Sequence, residues 1–171
     1  MNTTTMLRGL MLSLVLAAGS VDAGDRDSVF GQWAGDTSIL DIGEANGTLY
    51  ARVVGILNPN YGADEKDGPA GTPRVDAHNP DESLRDRPIL GINLLSGYQF
   101  SDGKWQGQLY DPESGKTYQS QISVDGDGNL KLRGYIGTPM LGKTRIFKPA
   151  STCSADIKRM LAQADIANTC G

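Results

Sequence analysis

The most constraining feature of the sequence is the stretch from Trp105 to Tyr118, which predicts two β-strands joined by one tight turn. Side chains alternate across a strand, so Leu109 falls on one face of the first strand and Tyr110 on the other. In the turn, Asp111 can accept hydrogen bonds from the backbone, and Gly115 can adopt the left-handed conformation of a bulge. The rest of the chain predicts further hairpins around this one.

Short segments of strand-forming residues recur along the chain and are separated by turn signals such as Asn46-Gly47 and Asp102-Gly103. Sequential hairpins of this kind form an antiparallel meander, and a meander of eight strands can close on itself and remove its exposed edges. We therefore expect an all-β fold, an eight-stranded antiparallel up-and-down barrel. The predicted strands cover residues 30–33, 38–43, 49–57, 89–100, 105–110, 117–124, 130–135 and 144–147.

The first 23 residues have the composition of a cleaved signal peptide. Arg8 gives a positive flank, Leu10 to Ala18 is an apolar run, and Val21 to Ala23 offers small residues before a cleavage site at Gly24. The run is shorter than the roughly 20 apolar residues that span a bilayer, although an uncleaved N-terminal anchor is the alternative. We expect a periplasmic or secreted protein with a signal peptide (1–23), a β-barrel domain (24–150) and a C-terminal helical extension with two Cys (151–171).

The C-terminal extension predicts a helix that packs against the outside of the barrel. Ser154 can cap its N-terminus. Four apolar side chains fall on one side of this helix: Ile157, Met160, Leu161 and Ala164.

Cys153 and Cys170 bracket the predicted helix. A straight helix between them would hold them about 25 Å apart, beyond disulfide reach, so pairing requires the helix to end near Asp165 and the tail to fold back. An intrachain disulfide is expected in an oxidising compartment, and an intermolecular disulfide or two free thiols are the alternatives.

Residues 58–88 form a long polar stretch rich in Pro and Gly, and loops of this length are usually functional or disordered. Asn79 can cap a short helix that Pro88 ends. The segment is interpreted as a surface flap or as a lid over a cavity mouth, in which Arg85 and Arg87 are available to an anion.

Two motifs resemble known binding loops but lack their structural context. Residues 137–144 match the phosphate-binding loop pattern, yet Pro139 interrupts it and the following residues predict a strand rather than a helix. Residues 125–129 resemble the start of a calcium loop, but Leu130 stands where Gly is required and Ile136 where a bidentate Glu is required. Both are interpreted as turns.

The sequence favours a protein without catalytic chemistry, metal or cofactor. His78 is the only histidine, and even with Asp76 and Asp81 nearby it makes a weak metal site and leaves no second imidazole to activate a nucleophile. Carboxylate chemistry, or a pair of Asp111 with Lys116, is the enzymatic alternative. A net charge of −4 without a basic cluster argues against a nucleic-acid partner, and nothing after residue 23 is apolar enough for stable membrane insertion.

Aromatic side chains are distributed over most of the predicted strands, and eight-stranded barrels can hold one small ligand. The candidate partner is therefore a small apolar or amphipathic molecule, whose polar head Arg87 or Arg133 would fix. An ordinary core is the alternative for these rings; the chain would then be an envelope interaction module with a packed barrel and another envelope protein as partner. The candidate ligand-binding rings are Trp33, Tyr50, Tyr98, Trp105, Tyr110, Tyr118 and Tyr135.

Four sequence blocks, in this order, resemble the domain of unknown function 2147 family of exported bacterial proteins: residues 76–80, 87–91, 110–118 and 133–142. The resemblance covers roughly Phe30 to Phe147 and implies a lipocalin-like barrel, a periplasmic location and a role in binding small apolar ligands. Gly31-Gln32-Trp33 is also similar to the Gly-x-Trp of lipocalins, in which an arginine covers the Trp. Arg145 is the candidate for that arginine, although Phe147 departs from the Trp that the family usually has there.

Overall fold

The computed structural model describes residues 26–163 and residue 170. In this part of the chain eight strands form one antiparallel sheet that curls into a nearly closed barrel, followed by a C-terminal helix, which confirms the predicted fold. The strands are β1 (Gly31–Ala34), β2 (Ser38–Ala45), β3 (Thr48–Ile56), β4 (Leu95–Ser101), β5 (Lys104–Asp111), β6 (Lys116–Val124), β7 (Leu130–Tyr135) and β8 (Lys143–Pro149).

Local turn chemistry sets the hairpins that the sequence predicts. Asn46 and Gly47 both have positive φ, 52° and 75°, as the tight turn between β2 and β3 requires. In the β5–β6 turn, Gly115 has a φ of 67° and donates its N–H to the Asp111 carbonyl across 2.8 Å. The side chain of Asp111 accepts a second backbone N–H, from Glu113, across 3.2 Å.

The barrel closes between β3 and the residues that precede β4. The Val53 N–H donates to the Ile92 carbonyl across 3.0 Å, and the Leu94 N–H donates to the Ala51 carbonyl across 2.9 Å. Between these bonds the Asn93 side chain accepts from the Ala51 N–H across 2.9 Å, in place of a backbone carbonyl. This substitution interrupts the ladder, so the strand predicted from residue 89 begins later, at β4.

A packed apolar core fills the barrel at the end that holds the residues before β1. The indole N–H of Trp33 donates to the Val29 carbonyl, and that of Trp105 donates to the Arg26 carbonyl, each across 2.8 Å. We call this the closed end. The buried core consists of Val29, Trp33, Leu40, Ile42, Leu49, Ala51, Val53, Leu95, Tyr98, Trp105, Ile122, Leu130, Leu132 and Phe147.

Helix α1 (Ala155–Leu161) makes a second, smaller core on the outer surface of the barrel. Ser154 caps it by accepting from the Ile157 N–H across 3.3 Å, as predicted. The helix lies so close to β3 that a Cβ on Gly55 would stand 2.7 Å from the Met160 carbonyl oxygen. Ile157, Met160 and Leu161 are buried as predicted, and Ala164 lies outside the described residues.

Cys153 and Cys170 form the predicted intrachain disulfide, with their Cα atoms 5.5 Å apart. A disulfide is typical of proteins that work outside the reducing cytoplasm. Among the described residues, no helix has the length and apolar character needed to cross a membrane.

Candidate functional site

The inner wall of the barrel carries small side chains at the end opposite the closed end, which we call the open end. Gly107, Ser120 and Gly134 lie side by side across β5, β6 and β7, and Lys143, a long side chain, continues the row on β8. Directly paired residues in an antiparallel sheet project from the same face. Because Ser120 is buried in the interior, this whole row faces inward.

Tyr98 forms the floor of the open end. Its ring covers Gly107, where a Cβ would stand 2.7 Å from the ring carbon Cγ of Tyr98. Its hydroxyl shares a hydrogen bond with the Ser120 hydroxyl inside the barrel. Burial raises the pKa of the Tyr98 phenol far above its usual range, so Tyr98 remains a neutral partner of Ser120.

Above this floor, Leu109, Tyr118 and Gly134 form an apolar patch on the inner face, which we call the recess. Leu109 and Tyr118 are directly paired across β5 and β6, and both are half-buried. A Cβ on Gly134 would meet only Tyr118 Cβ, at 3.8 Å, and Leu109 Cδ2, at 3.9 Å, which are ordinary contact distances. Gly134 therefore borders space that a side chain or a ligand could occupy, whereas the space above Gly107 is filled.

The wall of the barrel has a gap next to the recess. Strand β1 is short, and its pairing with β8 is limited to Trp33 with Pro149 and Ala34 with Lys148 among the described residues. The first part of β8, from Lys143 to Ile146, therefore has a neighbouring strand, β7, on one side only.

Two cationic residues occupy inner-face positions on this unflanked part of β8. Lys143 is paired with Gly134, and Arg145 is paired with Leu132, so both belong to the inner face. The Arg145 side chain is 71% exposed, and its Nη2 lies 3.9 Å from Glu113 Oε2, a long and solvated ion pair. The open end thus combines an apolar recess with two accessible positive charges.

A buried carboxylate, Asp76, ties the loop of residues 58–88 to strand β5. Asp76 is fully buried and accepts from the Tyr110 hydroxyl across 2.6 Å, from Asn79 Nδ2 across 2.7 Å and from Arg87 Nη2 across 2.7 Å. We call these four residues the Asp76 cluster. Three of the four sequence blocks that carry the family resemblance meet in it.

The electrostatics of the Asp76 cluster favour one protonation state. Burial opposes the charge on Asp76, but the hydrogen bonds from Tyr110, Asn79 and Arg87 outweigh it and lower its pKa below the usual value. Burial, together with the hydrogen bond and the charge of Asp76, raises the pKa of Tyr110 to about 12. The cluster is therefore a carboxylate held by donors from three residues, an arrangement that fixes the loop.

A shallow depression of about 110 Å³ is lined by residues of the same loop and of the β5–β6 turn. At its edge His78 Nε2 lies 3.5 Å from Asp67 Oδ1, and both side chains are about half exposed. A Cβ on Gly115 would overlap the His78 carbonyl oxygen, so the loop and the turn are in direct contact. Within residues 26–163 no three His, Cys, Asp or Glu side chains lie close enough together to hold a metal ion.

The aromatic residues predicted to bind a ligand lie in several different places. Trp33, Tyr98 and Trp105 are buried in the packed interior, with exposed fractions of 6%, 4% and 2%. Tyr118 lines the recess, and Tyr135 is a half-buried residue at the end of β7.

The remaining predicted site residues lie elsewhere. Tyr50 is half-buried against Gly43, on the opposite face of β3 from the buried Leu49 and Ala51. Tyr110 and Arg87 belong to the Asp76 cluster, and Arg133 donates to the loop between β7 and β8.

Two local expectations are wrong. Asn79 is not the N-cap of the helical turn in the loop: its Oδ1 accepts from the Asp81 N–H across 2.9 Å and its Nδ2 donates to Asp76, while Asp81 caps the 3₁₀ turn over Glu82–Leu84. Arg145 does not cover Trp33, because it extends into solvent toward Glu113. Among the described residues, Arg26 covers a tryptophan, with its guanidinium carbon 4.8 Å from the centre of the Trp105 ring.

Three residues of the recess and the gap were not predicted from the sequence: Leu109, Gly134 and Lys143. Their signal is the strand register, since the alternation of β7 and β8 places Gly134 and Lys143 on the inner face only after Leu132 is known to be buried. Alternation alone does not say which face of a strand is interior.

An eight-stranded antiparallel up-and-down barrel is the architecture of lipocalin-like folds. In agreement, a solved structure described as "Protein HP1028 from the human pathogen Helicobacter pylori belongs to the lipocalin family" superimposes with a TM-score of 0.58. The two chains are 22% identical, and the match covers 81% of this chain and 91% of that chain, which supports the shared fold.

The chain belongs to the family described as "Uncharacterized protein conserved in bacteria (DUF2147)", whose model matches residues 31–148. This match confirms the family resemblance that the four sequence blocks indicate. No curated protein matches the chain. The matched region begins at β1 and ends within β8, so it spans the barrel and excludes helix α1.

Proposed function

We propose that this chain is a non-enzymatic periplasmic binding protein that holds a small anionic amphiphile at the open end of the barrel. The observation that carries the proposal is the position of Lys143 and Arg145 on the inner face of β8, beside the recess at Gly134. An apolar surface with adjacent positive charges matches a molecule with an apolar tail and a carboxylate or phosphate head.

The packing of the interior limits how deep such a ligand can lie. Tyr98, together with the core residues of the closed end, fills the lower part of the barrel. The tail would therefore lie across Leu109, Tyr118 and Gly134 rather than run down the barrel axis. Of the predicted rings, Tyr118 would contact the tail directly, and Tyr98 would lie beneath it.

The head group is assigned to different cations from those that the sequence suggested. The guanidinium groups of Arg87 and Arg133 both donate to protein atoms, Arg87 to Asp76 and Arg133 to carbonyls of the β7–β8 loop. Lys143 and Arg145 are exposed, and the long Arg145–Glu113 pair is easily replaced by a ligand anion.

Two observations support the periplasmic location. The first 23 residues have the composition of a signal peptide. The disulfide between Cys153 and Cys170 is of the kind that persists in an oxidising compartment.

Extraction of a ligand tests the proposal. The chain is purified from a bacterial host without detergent, extracted with organic solvent and analysed by mass spectrometry beside an Arg145→Gln variant. We expect an anionic amphiphile in near-stoichiometric amount from the wild type and a reduced amount from the variant. Recovery of no bound molecule, together with no binding of added laurate, would rule the proposal out.

A second candidate function is an envelope interaction module with a packed barrel. The burial of Trp33, Tyr98 and Trp105 in one core favours it, because these rings fill space that a deep ligand would need. Crosslinking in the native host separates the two functions. A specific protein partner, retained in a variant that no longer binds laurate, would favour the module.

A further inference from the structure

The loop between β7 and β8, residues 136–142, presents large apolar side chains to solvent. Ile136, Met140 and Leu141 are 75%, 88% and 81% exposed. Single exposed apolar residues are common, but a group of them in one short loop marks an interaction surface.

The exposure of this loop is fixed by hydrogen bonds. Arg133 Nε donates to the Pro139 carbonyl across 2.7 Å, and Arg133 Nη2 donates to the Met140 carbonyl across 3.3 Å. The Thr138 hydroxyl accepts from the Met140 N–H across 3.1 Å and caps a 3₁₀ turn over Pro139–Leu141. Because its carbonyls are bound from the barrel side, the loop presents Met140 and Leu141 outward at little further cost in conformational entropy.

A cationic depression of about 140 Å³ lies next to the loop, on the outer surface of the sheet. Arg133, which holds the loop, also lines this depression, and its Nη1 donates to the hydroxyl of Thr144, another lining residue, across 2.7 Å. Lys131 also lies 3.3 Å from Asp125 Oδ2. The depression is lined by Lys104, Gln121, Ser123, Lys131, Arg133 and Thr144.

These side chains concentrate positive charge on one face of a chain whose net charge is −4. The lining contains three cationic side chains and no carboxylate, although Asp125 borders it through Lys131. An apolar loop beside a cationic depression is complementary to an anionic lipid bilayer, in which apolar acyl chains lie beneath negatively charged head groups.

We propose that the β7–β8 loop and the cationic depression form a docking surface for a membrane that contains anionic phospholipids. Met140 and Leu141 enter the boundary between head groups and acyl chains, and a lipid phosphate occupies the depression beside Lys104 and Lys131. The protein then lies on the membrane and does not cross it. The docking residues are distinct from the recess residues, so this inference stands independently of the proposed ligand.

Vesicle sedimentation tests the docking surface with the full chain. Wild type is compared with Met140→Ser/Leu141→Ser on vesicles of phosphatidylcholine with or without phosphatidylglycerol. We expect wild type to bind the anionic vesicles more tightly, and the double variant to bind them at least about tenfold more weakly, because transfer of each apolar side chain from water favours binding. Any contribution of residues 1–25 is the same in both proteins and cancels.

Two further variants complete the test. Leu84→Ser removes an exposed leucine outside the loop and should leave vesicle binding unchanged. Lys104→Gln/Lys131→Gln should weaken binding to the anionic vesicles and reduce its dependence on salt. Equal vesicle binding by wild type and Met140→Ser/Leu141→Ser would overturn the inference. It would also be overturned if neither protein bound vesicles and the wild type formed a dimer that the variant did not form.

Discussion

The hydroxyl of Tyr110 donates to Oδ1 of Asp76 across 2.6 Å and joins strand β5 to the loop of residues 58–88. Tyr110 and Asp76 are far apart in the sequence, and Asp76 is completely buried. Arg87 and Asn79 satisfy the other carboxylate oxygen. A long polar loop thereby acquires a fixed position beside the open end of the barrel.

Asp76→Asn should lower the free energy of unfolding by about 3 kcal/mol. The amide is neutral and has one acceptor oxygen, whereas the Asp76 carboxylate is charged and accepts hydrogen bonds at both oxygens. The pKa of Asp76 is lowered by folding, so its contribution is present above about pH 4 and is lost as the pH falls through its folded value. Urea denaturation should show a large difference in the free energy of unfolding between wild type and Asp76→Asn at pH 7 and a smaller difference at pH 3.

The control for this variant is Asp86→Asn, a change at an exposed aspartate of the same loop. It should alter stability by less than about 0.5 kcal/mol. A result for Asp76→Asn as small as that for Asp86→Asn would mean that the cluster does not anchor the loop.

Tyr110→Phe should change how stability responds to alkali. Folding raises the pKa of Tyr110 from about 10 to about 12, so this group's contribution is intact below about pH 10 and is lost as the pH rises through about 12. The free energy of unfolding of wild type should fall more steeply across that interval than that of the variant. Denaturant titrations at several alkaline pH values measure both slopes, and parallel slopes would contradict the assignment.

Gly107→Ala and Gly134→Ala should differ sharply in stability, although the two glycines face the same side of the sheet. A Cβ on Gly107 would stand 2.8 Å from the Tyr98 Cα, so Gly107→Ala should cost about 2 kcal/mol through overpacking. A Cβ on Gly134 meets its neighbours at ordinary distances, so Gly134→Ala should fold with a change below about 0.5 kcal/mol. Thermal denaturation of the pair measures the contrast, and similar losses in both would show that the recess is filled.

Reduction of the Cys153–Cys170 disulfide should destabilise the protein by about 3 kcal/mol, the value typical of a loop of this length. The bond holds Cys170 near the start of helix α1. Met160 of this helix packs on Gly55, and Gln163, two residues after the helix, donates its side-chain N–H to the Ile56 carbonyl across 2.7 Å. Chemical denaturation with and without a reductant gives the difference. An unchanged midpoint would mean that α1 packs equally well without the bond.

Features of the fold that depend on neighbouring residues could be predicted from the sequence. The turn at Asn46 and Gly47 and the cap at Ser154 follow from local backbone chemistry, and the structure contains both. The alternation along β5 likewise gave its two faces correctly. It could not say which face is interior, because that depends on how the sheet curls.

The site depends on residues that are distant in the sequence, and no local sequence pattern predicts it. Asp76 looked like a loop carboxylate because its partner Tyr110 lies in another element. The inward position of Arg145 follows from its register against Leu132, and its exposure follows from the shortness of β1. The site forms through strand register and through the absence, in the described part of the chain, of a second strand beside the first part of β8. Neither feature leaves a pattern within a single segment of the chain.

The most direct test of the account is calorimetric titration of laurate into wild type, Gly134→Val and Gly126→Val. Gly134→Val places a branched side chain in the recess, and Gly126→Val places the same side chain in open space at the β6–β7 turn. We expect one-site binding by wild type and Gly126→Val, and binding at least about tenfold weaker in Gly134→Val. No binding by wild type, or equal binding by all three proteins, would contradict a ligand site at the open end of the barrel.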